Sequence, residues 1–167
     1  MSKAFARKTL SRPGTHALIG FAAAGLLAGA VIADPAGLEA LAGSWRGSGT
    51  LSFESGESES ITCNGYYKGG SSLGVVIRCK GTSTNFELRS KLDTSGDKVS
   101  GSWEERTYNA TGDAQGTASP GKLNVAFSGS LKGSLEMSFS ASAQSVSVSV
   151  DTKGAGIKGV RVSLNRI

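Results

Sequence analysis

The sequence predicts an all-β fold: an antiparallel up-and-down meander of about 8–10 strands closed into a small barrel, preceded by an N-terminal signal helix. Apolar and polar residues alternate with period two from Gly43 to the end of the chain, as strands with one buried face require. Turn signals separate these runs: Ser55-Gly56, Thr94-Ser95-Gly96-Asp97, Pro120-Gly121 and Lys153-Gly154. No helical period persists after residue 44, and the connections are too short for crossover helices, so consecutive strands should pair as hairpins. An open sheet of this size would expose edges to aggregation; closure removes them.

The 167 residues suit one folded domain behind a leader. Residues 1–33 contain Lys3, Arg7, Lys8 and Arg12, no acid, and an apolar run from Ala17 to Ala33. This is the order of a secretory signal peptide, with Val31 and Ala33 as the small residues before a cut after Ala33. The division is therefore a signal peptide at 1–33, a short linker at 34–42 and a β-barrel domain at 43–167. An uncleaved anchor is the plainer alternative, because the apolar run is at the lower limit for spanning a bilayer. After cleavage no membrane span is expected, and the product should be secreted, periplasmic or extracellular. From Asp34 onward, 14 basic side chains face 13 acidic ones. That balance gives no electrostatic reason to expect nucleic acid or a polybasic membrane contact.

Trp45, Leu51 and Phe53 define the inward face of the first strand, and Ile61, Cys63 and Tyr67 that of the second. Val75, Ile77 and Cys79 follow, and then Phe86, Leu88 and Leu92, Val99 and Trp103, with a weaker strand over 112–118. Leu123, Val125 and Phe127, Leu135, Met137 and Phe139, Val146, Val148 and Val150, and Val160, Val162 and Leu164 complete the set. The runs 61–67 and 73–79 flank Gly69-Gly70-Ser71-Ser72, a hairpin signal. Folding about residue 71 puts 63 opposite 79, 65 opposite 77 and 67 opposite 75. The two cysteines then lie within disulfide reach, worth about 3 kcal/mol for a loop of this length. Gly47, Gly49, Gly65 and Gly101 fall on the inward face, where glycine permits sharp strand bends and, with Ser90, suggests open space.

Arg166 shares inward parity with Val160, Val162 and Leu164, so it can lie over Trp45 where the sheet joins. Gly43, Trp45 and Arg166 thereby resemble the calycin arrangement of lipocalins, fatty-acid-binding proteins and avidins, in which these residue types close one barrel mouth. Residues 43–49, GSWRGSG, also resemble the opening strand of nitrobindin-type haem barrels, but no His follows His16 to supply their proximal ligand. Trp45-x-Gly-x-Gly49, Cys63, Cys79, Leu88 and GSWEERTY at 101–108 followed by Thr111-Gly112 are similar to a group of uncharacterised small secreted alphaproteobacterial proteins. That resemblance implies export and the disulfide, and it implies no activity.

With His16 in the leader, the mature chain has no imidazole, which excludes Ser-His-Asp and Cys-His nucleophilic sites and His-liganded metal or haem. No cofactor, metal or catalytic residue is expected. Glu104 and Glu105 are adjacent in a strand, face opposite sides and cannot share a substrate. Glu105 points inward, either as a polar anchor for a ligand or as a rim carboxylate paired with a cation. Glu104 and Arg106 form the expected outer charge pair. Asp93 and Asp97 fit a turn better than calcium, and Asn109-Ala-Thr111 matches a common acceptor tripeptide. The expected function is non-enzymatic binding of a small, mostly apolar ligand, lined by Phe53, Tyr67, Phe86, Leu88, Trp103, Glu105, Phe127, Met137 and Phe139. The alternative is an envelope or matrix interaction module with a packed core.

Overall fold

A computed structural model describes residues 37–167, so the expected signal peptide at 1–33 and the expected cut after Ala33 lie outside the described residues. A single 3-10 turn, Leu38–Leu41, leads into ten strands. These are β1 (Gly43–Phe53), β2 (Ser58–Lys68), β3 (Ser72–Lys80), β4 (Asn85–Ser95), β5 (Lys98–Glu105), β6 (Ala110–Ser119), β7 (Lys122–Gly129), β8 (Gly133–Phe139), β9 (Ala143–Val150) and β10 (Ile157–Arg166). Each strand pairs antiparallel with its neighbours in sequence, and β1 also pairs with β10, which closes the barrel. The weak 112–118 pattern is a full strand because Ala114 is buried inside and its small neighbours Gly112 and Gly116 fit under adjoining backbone.

Inward positions collect the apolar residues: Leu51, Ile61, Val99, Leu123, Val162 and Leu164 are among the most buried. The predicted hairpin register is met, with Cys63 opposite Cys79, Gly65 opposite Ile77 and Tyr67 opposite Val75. Cys63 and Cys79 are joined by a disulfide and both are buried. Such a bond persists in oxidising compartments. The Ser-Val alternation at 145–150 forms an ordinary half-buried strand between β8 and β10.

Three of the inward glycines, Gly47, Gly49 and Gly101, serve close approach. A Cβ at Gly47 would overlap the Ser163 carbonyl oxygen of β10, and one at Gly101 the Lys91 carbonyl oxygen of β4. Their absence of side chain is consumed by neighbouring backbone in a strongly coiled sheet, rather than left as open volume.

At the join, Trp45 and Arg166 are register partners, and the guanidinium carbon stands 4.5 Å from the indole centroid. Arg166 also donates from Nε to the Ala141 carbonyl at 2.6 Å, from Nη1 to that of Ala42 at 2.6 Å, and from Nη2 to that of Ala40. Trp45 Nε1 donates to the Leu41 carbonyl at 2.7 Å. Residues 38–42 thus act as a plug across this end of the barrel, a role beyond the linker expected at 34–42: Leu41 is fully buried, and three successive carbonyls from Ala40 to Ala42 are held by Trp45 and Arg166.

On the outer face, Glu87 of β4 accepts from Arg78 of β3 at 2.8 Å and from Arg89 at 2.7 Å. Hydrogen bonding by Arg78, then Arg89, holds the Glu87 carboxyl below its ordinary value. Glu104 meets Arg89 at 3.9 Å instead of Arg106. The expected Glu104–Arg106 pair does not form because β5 stops at Glu105, and Arg106 belongs to the following turn.

Candidate functional site: an apolar cavity open at one end

Antiparallel pairing sends alternate turns to opposite ends of the barrel. The plug, the turns after β2, β4, β6 and β8, and the C-terminus share one end. The turns at 54–57, 81–84, 106–109, 130–132 and 151–156 share the other. Between the ends lies a cavity of about 630 Å³, within the range of small-molecule sites. Its wall comes from inward residues of every strand, including Leu51, Val75, Leu92, Ala114, Val125 and Val146. Thr84, Tyr108, Asn109, Ser130, Leu131 and Gly156 place its mouth at the second end.

The floor is built from Tyr67, whose hydroxyl donates to Gln144 Oε1 at 2.8 Å while its ring packs edge-on against Trp45 at 6.3 Å. Burial pushes the Tyr67 phenol well above its ordinary value, the Gln144 hydrogen bond acting in the opposite sense. The phenol is therefore neutral at physiological pH. Gln144 is buried, and its Nε2 has no hydrogen-bond partner among the described residues.

Three glutamates shape the mouth by accepting backbone N–H groups from its turns. Glu54 accepts from Gly154 and Gly156 at 3.1 Å each, tying the β9–β10 loop to the β1–β2 turn. Glu59 accepts from the Ser83 backbone at 2.5 Å and its hydroxyl at 3.0 Å, which fixes the β3–β4 turn. Hydrogen bonding by the Ser83 N–H, then by the Thr84 side chain, holds the Glu59 carboxyl down at about 2. Glu105 accepts from Glu87 N and Thr107 N at 3.0 Å each and from Tyr108 N at 2.6 Å. The Glu105 side chain reaches the cavity wall, and the ion-paired reading needs correction: in place of a Lys or Arg, the carboxylate meets the turn amides of Thr107 and Tyr108 and the Glu87 N–H of β4.

Of the nine lining residues expected from parity, Phe53, Tyr67, Phe86, Trp103, Glu105, Phe127 and Met137 stand on the cavity wall. Trp103 packs edge-on against Phe127 at 5.8 Å and donates to the Ser128 carbonyl at 3.2 Å. Leu88 and Phe139 are not on that wall. Leu88 packs into the sheet between its register partners Ile77 and Glu105. Phe139 ends β8 beside Gln144, at the plugged end and outside the cavity. Parity assigns a side of the sheet, whereas strand tilt decides the height at which a side chain enters the lumen. Parity also cannot name the mouth residues Tyr108, Asn109 and Ser130, which sit in or beside turns; the one sequence signal there is the Asn at 109, a residue type that tolerates the left-handed backbone it adopts (φ 56°).

The fold and site define a ten-stranded antiparallel barrel with an apolar interior open at one end. Rv2717c from M. tuberculosis, known from a crystal structure, has this fold: the TM-score is 0.66 at 13% identity, covering 78% of this chain and 94% of that one. A redesigned β-barrel, mFAP1, solved bound to DFHBI, aligns with a TM-score of 0.44 at 14% identity over 77% of this chain and 96% of its own. No family model and no curated protein matches the sequence.

Proposed function

We propose that the protein is an exported, non-enzymatic container that holds a small, mostly apolar molecule in its barrel. The observation that carries this reading is the cavity itself: about 630 Å³ with a wall dominated by aliphatic and aromatic side chains. A filled interior would suit the alternative of an interaction module acting only through its outer surface, and the interior is not filled. The calycin likeness of Gly43, Trp45 and Arg166 points the same way, since that arrangement accompanies ligand-bearing barrels. The Cys63–Cys79 disulfide supports the export reading.

Native mass spectrometry of protein recovered from its producing cells should find a bound mass that is lost on organic extraction. In parallel, an apolar probe should shift tryptophan emission saturably. The change should vanish in Trp103→Phe, because Trp103 lines the cavity and Trp45 does not. A bare mass together with no saturable response refutes the reading.

A further inference from the structure

The chemistry of the wall narrows the ligand class, on the footing that the cavity is the binding site. Among the described residues lining it there is no Lys, Arg or His, and Glu105 is the single carboxylate. That carboxylate already accepts three backbone N–H groups. Tyr67 is a neutral phenol bound to Gln144. The cations of the neighbouring outer face, Arg78 and Arg89, are engaged by Glu87 and Glu104. Arg106, Lys132 and Lys153 on the mouth turns, and Lys80 and Lys158 beside them at the strand ends, are exposed and off the cavity wall, and Glu54, Glu57 and Asp151 lie on the same set of turns. An anionic ligand group drawn into this mouth would lose water, gain no cation and face Glu105, a combination that strongly disfavours it. A neutral hydroxyl, ester or carbonyl meets no such penalty. It finds uncharged partners at the rim in Tyr108, Asn109 and the Ser130 hydroxyl, which accepts from Thr111 N and keeps its own proton to donate.

We infer that the barrel selects uncharged ligands, with an apolar body in the lumen and a neutral polar group at the Tyr108–Asn109–Ser130 rim, and discriminates against fatty-acid-like anions. Dodecan-1-ol and dodecanoate share a chain and differ in charge, so titrating each into the purified protein at pH 8, read by calorimetry and Trp103 emission, isolates the effect. The alcohol should bind at least about tenfold more tightly. Ser130→Lys, which adds a cation at the rim, should narrow that ratio. Dodecanoate binding as tightly as the alcohol, or a preference that Ser130→Lys leaves untouched, overturns charge selection while leaving the container reading intact. Failure of both probes to bind removes the container reading itself.

Discussion

Arg166→Ala tests how the barrel is closed. The side chain lies over Trp45 at 4.5 Å and donates to the carbonyls of Ala40, Ala42 and Ala141, so it joins the plug, the first strand and the β8–β9 turn. A cation over an indole contributes about 0.5–2 kcal/mol, and hydrogen bonds from a charged donor about 1.5–3 kcal/mol each where water is excluded. Arg166 is largely exposed, so water re-solvates part of what is lost. The net cost should be about 2–4 kcal/mol. For a domain of this size that corresponds to a fall in Tm of about 6–15 °C by calorimetry. Arg166→Lys keeps the charge over Trp45 but cannot reach three separated carbonyls from one ammonium, so it should recover about half the loss. If Arg166→Ala melts within about 2 °C of the parent, or the Lys variant matches the parent, the latch is not what secures the join.

Other perturbations address the remaining parts. Replacing Cys63 and Cys79 by Ser should cost about 3 kcal/mol in denaturant unfolding, and titration of the denatured, unreduced parent should find no free thiol. Tyr67→Phe strands the buried Gln144 amide and should cost about 1–3 kcal/mol, whereas an unchanged unfolding midpoint would show that water or a rearranged Gln144 replaces the hydroxyl. Glu59 has a folded-state carboxyl near 2 against an ordinary 4.5, so its contribution is present above 4.5 and is lost as pH falls toward about 2. The stability gap between parent and Glu59→Gln should therefore close across that window; a gap that is constant with pH means the Ser83 hydrogen bonds do not depend on the charge.

What the sequence made legible follows from period two. Strand faces, the 63–79 pairing and the approach of Arg166 to Trp45 are all consequences of alternation and closure, which local spacing encodes. The plug formed by residues 38–42 was not legible, because Leu38, Ala40 and Leu41 carry no period-two signal and matter chiefly through their carbonyls. The glutamate anchors of the mouth were hidden for a related reason. Glu54 and Glu59 bind backbone amides whose direction is set by turn geometry, so local spacing shows them only as solvated carboxylates, while parity places Glu105 inward without naming its amide partners. The inward glycines suggested volume, yet Gly47 and Gly101 accommodate adjacent backbone; the cavity arises from barrel girth instead.

The lumen as binding site is tested most directly by filling it. Ala114 is buried on β6 and lines the cavity, so Ala114→Phe, with Ala114→Leu as the milder change, occupies ligand space from within. Titrated with Nile red, a neutral apolar dye, the parent should bind saturably at one site. The Phe variant, with far-UV circular dichroism retained, should bind at least about tenfold more weakly and the Leu variant in between. Equal affinity in all three folded proteins would place the dye on the outer surface and leave the cavity without a role.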